Sequence, residues 1–563
     1  MISNISFELS SIFTVFLVIS LCFSSCSCIR TRDLRRNAEF IDHTAISRPQ
    51  PRVDHARMMA EFANHTAISD FRIINRKSLG DCPDPNPYIR INVSSANAKL
   101  SDDQFVTVTI SGVLVPAASD WVAMISPANS DVSSCPLNGI QYQQTGDFSI
   151  LPLLCHYPAQ YASSDPGYLA CKNQECQQRN ARGDCVVKTC SATLQFHVIN
   201  IRTDIEFVFF AGGFITPCIL KRTTPTSFAN PKKPLYGHLS SIDSTGNSMR
   251  VTWVSGDKTP QKVQYGNGKS QTSVVTTFSQ ADMCSSLSVV NAIASEVSSG
   301  NIDSIFHIGD ISYATGFLVE WDFFLHLISP VAAQLSYMTA IGNHERDYID
   351  TGSVYVTADS GGECGVPYET YFPMPTSEKD KPWYSIEQGS VHFTVISTEH
   401  DWSESSEQFA WMKKDMASVD RTRTPWLIFM GHRPMYSTSD GSSFIPSVDN
   451  NFVQAVEPLL LSNKVDLALF GHVHNYERTC AVYQGECKAM PTKDGNGIDT
   501  YDNTNYQAPV HAVIGMAGFS LDSFPSTAKF GYARVHATRT DLNFEFVNAN
   551  TTEVGDRFHI TRS

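Results

Sequence analysis

Apolar positions recur along this chain in three rhythms, and the changes between them divide it. Near the start, residues 12–23 form a mostly apolar run. It is too short for the about 20 residues that span a bilayer. The small residues Ser24 to Ser27 follow it, then Arg30, Arg32, Arg35 and Arg36. That order predicts a secretory signal over residues 1–28, although Glu8 and no Lys or Arg precedes the run; a short signal anchor is the rival reading. From about Pro87 to Arg222 the rhythm has period two. Phe105 to Ile110 alternates, as do Leu194-Phe196-Val198 and Ile205-Phe207-Phe209, with Pro, Gly, Ser and Asn between the runs. A β-sandwich over 81–225 is expected. Met249 to Val254 and Lys262 to Tyr265, closed by Gly266-Asn267-Gly268, mark a second β segment over 230–283. Two or three strands are too few for a closed sandwich, so this segment reads as truncated.

From Ser285 the rhythm becomes mixed. Leu287, Val290, Ile293 and Val297 keep helical spacing until Gly300. Strands then recur at 304–309, 337–341, 391–397, 426–430 and 465–470, with helical patterns near 318–335, 405–419 and 451–463. Such alternation over 285–480 predicts an α/β sandwich with its ligands at the carboxyl ends of strands. After Pro509 short strands return at 510–516 and 542–548, predicting a C-terminal β cap over 505–563. The fold class is therefore multidomain: N-terminal β-sandwich structure followed by an α/β catalytic unit.

Length agrees, because 563 residues are too many for one core. The formal net charge of −14 argues against a nucleic-acid partner, whose phosphates need clustered Lys and Arg. No run after the signal is long enough to span a membrane. Of fifteen cysteines, Cys22, Cys26 and Cys28 lie in or beside the signal and twelve remain. The spacings of Cys171, Cys176, Cys185 and Cys190 do not match a zinc ribbon, so disulfides are expected there, and Cys480 with Cys487 is expected to close a local loop. The sequons at Asn64, Asn92 and Asn550 suit glycosylation. Residues 38–47 recur as 60–69 within a duplicated propeptide or linker over 29–80, to which no chemistry is assigned. The protein is expected to be secreted, to the extracellular space, cell wall or vacuole, with a homo-oligomer left open.

The candidate chemistry lies where strands end. One strand ends on Gly309-Asp310 with Tyr313 close behind, others on Gly342-Asn343-His344-Glu345, on Gly431-His432-Arg433-Pro434 and on Gly471-His472-Val473-His474. A lone Gly-His says little. Four Gly-led polar turns at the ends of α/β strands converge, and their side chains suit metal binding. Two His with Asn suit zinc, manganese or ferrous iron, whereas a phenolate with carboxylate oxygen suits a harder trivalent ion. A carboxylate between two such ions is the two-metal arrangement of phosphatases.

These four blocks resemble four of the five blocks of the purple acid phosphatases, in the metallophosphoesterase superfamily, and the resemblance runs from Cys82 onward. It looks closest to the large plant enzymes with extra N-terminal β domains. The resemblance implies that Asp310 bridges the ions, that Tyr313 and His474 bind Fe(III), that Asn343, His432 and His472 bind a divalent ion (Zn, Mn or Fe(II)), and that His344 contacts the substrate phosphate. It further implies a phosphate-ester substrate attacked by a water that the cations acidify. Three departures follow from the same resemblance. The family's first block, Asp-x-Gly at the end of an earlier strand, is absent before Ser285, where Asp282-Met283-Cys284 stands instead. Gly441 and Ser442 stand where many relatives carry a histidine pair, and the stretch from Pro525 to Gly531 is shorter than its counterpart.

Another acid has to replace the missing ferric ligand if iron is to bind normally. Asp303 lies seven strand residues from Asp310, about 23 Å at about 3.3 Å each. Asp282 is better placed, because a helix over 285–299 runs back about 22 Å beside that strand. The expected function is hydrolysis of phosphate monoesters, impaired if the ligand is lost. The alternatives are a catalytically silent binding or scaffold homologue, and a phosphodiesterase or nucleotide pyrophosphatase with a pocket opened at Gly441 and Ser442. Arg433 is a phosphate ligand or, more simply, a support for its own turn.

Overall fold

The computed structural model describes residues 2–8, 71–73, 82, 85–94, 98–130, 132, 156–213, 217–276, 288–300, 302–316, 318–439, 447–517 and 529–562. The apolar run at 12–23, the repeats at 38–47 and 60–69, Asn64, Asp282, Gly441 and Ser442 lie outside them.

The period-two region folds as two facing sheets. One has the order Arg90–Val93, Asp103–Val113, Cys185–Ile199, Gln174–Arg179. The other has the order Cys218–Arg222, Glu206–Ala211, Trp121–Ile125, His156–Tyr161, Phe71–Ile73. Alternation decides which side chains face inward: Val106, Val108 and Ile110 pack in one core with Leu194, Phe196, Phe207 and Phe209. Two disulfides, Cys171–Cys190 and Cys176–Cys185, staple the hairpin end of the long strand pair, and Cys82–Cys218 ties down the start of the domain. Cys480–Cys487 closes the expected local loop. Cys364 Sγ lies 3.3 Å from the Gly362 carbonyl. Since an oxidising compartment stabilises such bridges, thiol titration of the unfolded, unreduced chain should find few of the twelve post-signal cysteines free. Most of them reacting would contradict an oxidising compartment.

The second β segment holds more strands than the expected two or three: Leu235–Ser241, Ser248–Val254, Lys262–Tyr265, Lys269–Thr272 and Val274–Thr276. Its sheet continues through Leu239↔Ser336 into the first catalytic strands. The β segment is thus built into the edge of the catalytic sheet.

The α/β unit forms much as its rhythm predicts, with Ser304–Ile308, Ser336–Ala340, Val391–Val395, Trp426–Gly431 and Leu467–Phe470 as strands and Ser288–Ser298, Leu318–Ala332, Glu407–Ala417 and Asn450–Ser462 as the longer helices. The strands are distributed over two sheets. Ser304–Ile308 and Ser336–Ala340 pair in parallel in the six-stranded sheet, and Trp426–Gly431 and Leu467–Phe470 pair in parallel in a seven-stranded one. Convergence at a single sheet edge is therefore corrected: two sheets bring their carboxyl ends together. The C-terminal boundary also shifts. Val510–Ile514 pairs in parallel with Leu467–Phe470 inside the seven-stranded sheet, because its fully apolar face suits a buried parallel position. The cap is a separate sheet of Thr492–Lys493, Asp499–Asp502, Val554–Thr561, Asp541–Asn548 and Gly531–Ala537. No helix among the described residues is long and apolar enough to cross a membrane.

Candidate metal centre

The ligand turns combine left-handed backbone with glycines at points of close approach. Asp310 and Tyr313 hold φ of 50° and 55°, in the left-handed region. A Cβ on Gly309 would lie 2.4 Å from His432 Nδ1, and one on Gly342 2.4 Å from Asp310 Oδ1. These glycines let the loops of the two sheets touch. His432 Nδ1 lies 2.9 Å from the Ile308 carbonyl, so the imidazole from one sheet is oriented by the backbone of the other.

That hydrogen bond takes the Nδ1 proton and leaves Nε2 facing oxygen. Asp310 Oδ2 lies 3.0 Å and Asn343 Oδ1 2.9 Å from His432 Nε2, with His472 Nδ1 at 3.3 Å. His472 Nδ1 is 3.0 Å from the same Asn343 oxygen. The amide faces this way because its nitrogen donates to Asp359 Oδ2 at 3.0 Å, an oxygen that Thr357 also holds at 2.7 Å. Four donor atoms therefore surround one point, and two of them are oxygens beside a ring nitrogen whose partner N–H is already used. A positive charge, proton or metal ion, has to sit there. The electrostatics agree. Burial opposes charge on Asp310, yet His432, His344 and His472 hold its carboxyl well below the usual carboxylate range. Burial together with the neighbouring Arg433 and His432 pushes the His472 imidazole well down, which keeps it neutral. The donor set is of the zinc or manganese class. Arg433 Nη1 donates to His472 Nε2 at 3.0 Å, so a cation on His472 Nδ1 moves the ring proton to Nε2 and parts these two nitrogens.

The harder side of the site is thinner. Tyr313 Oη lies 3.0 Å from His474 Nε2 and 3.4 Å from Asp310 Oδ2. Asp310 Oδ2 thus faces both clusters, as a bridging carboxylate must. Among the described residues, Asp310, Tyr313 and His474 are the donors gathered on this side; Asp303 stands at the opposite end of the Ser304–Ile308 strand from Asp310. His344 sits over this pair. Its ring lies 4.4 Å from that of Tyr313, its backbone N–H donates to Asp310 Oδ1 at 3.1 Å, and its Nδ1 lies 3.2 Å from the Asp359 carbonyl. All seven predicted site residues are brought together.

Sequence reasoning assigned no role to Glu345, Asp359, Glu399 or Asp347 beneath them, and left Arg433 between a phosphate ligand and a support for its turn. Glu345 receives N–H groups from Asp310, Ile311 and Gly342 at 2.8, 2.7 and 3.0 Å, tying two ligand loops to one buried carboxyl. Burial, aided by Asp310, pushes that carboxyl up to about 8. Its signal was available, as the last letter of Gly-Asn-His-Glu. Arg433 is fully engaged: Nε meets Glu399 at 2.9 Å, Nη2 meets Asp347 at 3.0 Å, Nη1 lies 3.0 Å from His472 Nε2, and the guanidinium covers the Tyr355 ring at 4.0 Å. It supports the His472 turn. Asp359, Glu399 and Asp347 are distant in sequence and left no local sign.

Comparison with known proteins gives the context. Residues 89–230 match the Fn3-like domain from purple acid phosphatase, 281–476 the calcineurin-like phosphoesterases, and 508–557 the C-terminal domain of iron/zinc purple acid phosphatase-like proteins. A relative from Arabidopsis thaliana, named probable inactive purple acid phosphatase 27, is 31% identical over 84% of this chain and 89% of its own. The chain belongs to the purple acid phosphatase family. Among solved structures, purple acid phosphatase PPD1 from yellow lupin (Lupinus luteus) seeds superposes with a TM-score of 0.66 at 25% identity, over 85% of this chain and 97% of that one. A barley (Hordeum vulgare) relative, a nucleotide pyrophosphatase/phosphodiesterase, is 36% identical over 46% of this chain and 73% of its own. For a purple acid phosphatase the pairing of an Asn-His-His cluster with a Tyr-His cluster across one shared aspartate implies a dinuclear metal centre.

Proposed function

We propose that this chain is a secreted, glycosylated hydrolase of phosphate monoesters whose divalent-cation site is complete and whose iron site is weakened. The observation that carries the reading is the meeting of Asp310 Oδ2, Asn343 Oδ1, His432 Nε2 and His472 Nδ1 around one point. In the proposed assignment these four atoms hold the divalent ion, while Asp310, Tyr313 and His474 face the iron. Two cations, when bound, acidify the attacking water and offset the charge of the phosphoryl group. The residues do the rest. Asp359 fixes the Asn343 amide and, through its carbonyl, the His344 ring. With Nδ1 tied there, a protonated His344 has its other N–H to donate to a phosphoryl oxygen. Glycans fit the proposal too, since Asn92 and Asn550 are exposed.

His344→Ala tests the role. A charge-assisted hydrogen bond of about 1.5–3 kcal/mol corresponds to a roughly tenfold to hundredfold loss of p-nitrophenyl phosphate turnover, with the divalent ion retained. Loss of the ion instead would make His344 a ligand. The silent-homologue reading is favoured by the absence of the Asp-x-Gly block from the sequence before Ser285 and by the relatives named probable inactive. It predicts no turnover that His344→Ala can lower. The barley relative motivates a parallel assay with bis(p-nitrophenyl) phosphate, in which faster diester than monoester cleavage would replace the substrate class proposed here.

A further inference from the structure

A second cluster of metal-binding side chains lies where the β-sandwich meets the Leu318–Ala332 helix. Asp103 opens the strand Asp103–Val113, and His197 stands diagonally across from it on the paired strand, opposite Phe105. His326 comes from the helix one turn after Asp322. Asp322 is itself pinned to the β-sandwich, with both carboxylate oxygens 2.7 Å from Arg202 Nη2. His197 Nε2 lies 2.7 Å from Asp103 Oδ1, and His326 Nε2 lies 3.6 Å from Asp103 Oδ2. The ligand atoms of all three residues fall within 4.8 Å of one another.

A hydrogen bond accounts for the first contact but not the second, which is too long for one. Two imidazoles whose ring centroids are 5.7 Å apart, from separate domains, aim the same nitrogen at the two oxygens of one carboxylate. We propose that Asp103, His197 and His326 hold a zinc-class divalent cation that clamps the β-sandwich to the phosphoesterase domain. Two imidazole nitrogens with one carboxylate oxygen suit that class. Bonds of about 2.0–2.2 Å set tetrahedral ligands about 3.4 Å apart, between the two separations found here. The rings are held in place: Phe105 stacks on His197 at 5.0 Å, and Tyr236 meets His326 edge-on at 5.8 Å. Burial, against the pull of Asp103, pushes the His326 imidazole below its usual value and favours the neutral, ligating form. Side-chain exposures of 55%, 37% and 30% for Asp103, His197 and His326 leave an entry path and room for water as a fourth ligand.

Equilibrium dialysis of the chelator-stripped full chain against Zn²⁺ alone tests this. The parent should bind about one equivalent more than His326→Ala or Asp103→Asn, and His472→Ala should keep that equivalent. Zinc should also raise the unfolding midpoint of the parent more than that of either interdomain variant. Asp103→Asn preserves shape and hydrogen bonding to His197, so it carries the test if His326→Ala folds poorly. Equal zinc uptake by the parent and Asp103→Asn would overturn the proposal and leave a hydrogen-bonded cluster. Because the phosphoesterase centre is scored separately through His472→Ala, either site can fail without the other.

Discussion

His472→Ala is expected to strip the divalent ion from the phosphoesterase centre and to lower phosphomonoester turnover by roughly a thousandfold. The side chain supplies one of four donors around the point shared with Asp310, Asn343 and His432, and it lies 3.0 Å from the amide oxygen and 3.3 Å from the His432 nitrogen. Without it, three donors remain, and the Arg433 nitrogen that lies 3.0 Å from His472 Nε2 loses that neighbour and faces the gap. A cation brought next to a guanidinium, with one ligand fewer, loses both coordination and electrostatic support. Since a bound ion contributes several kcal/mol of transition-state charge stabilisation, its removal corresponds to about three orders of magnitude in rate. Element analysis and p-nitrophenyl phosphate turnover of the same preparation check this. Ion retention with unchanged rate would remove His472 from the site.

The second large effect runs in the opposite direction. Among the described residues the proposed iron side offers Asp310, Tyr313 and His474, and ferric iron depends on anionic oxygen. A chain supplied, ahead of Ser285, with a strand ending in Asp-x-Gly should regain an iron ion, the purple phenolate absorption and turnover higher by roughly a hundredfold or more, the scale of one ion's charge stabilisation. The parent chain should be nearly colourless beside it. A parent as purple and as active as the extended chain would show that another acid already fills the place, with Asp282 first in line.

The rhythm of apolar residues was enough to expect the β-sandwich and the order of strands and helices in the catalytic unit, because buried parallel strands and amphipathic helices write their periods directly into sequence. It could not reveal that Ser304–Ile308 and Leu467–Phe470 sit in different sheets, since each is a short apolar run with no mark of its neighbour. Val510–Ile514 was misplaced for the same reason. The seven candidate residues could be grouped from sequence because each follows a glycine-led turn closely and the blocks resemble a family. Asp359, Glu399 and Asp347 act on Asn343 and Arg433 across 16, 34 and 86 positions, and only the folded chain shows those reaches. The Asp103–His197–His326 cluster joins two domains and had no motif at all.

The central claim is that this phosphatase-family centre holds one divalent ion well and iron poorly. Element analysis of the purified chain carrying His326→Ala, which counts the phosphoesterase centre alone, tests it most directly. The account predicts about one zinc- or manganese-class ion per chain and iron far below that level. A chain without any bound ion, or one with a full complement of iron and a purple colour, would contradict it.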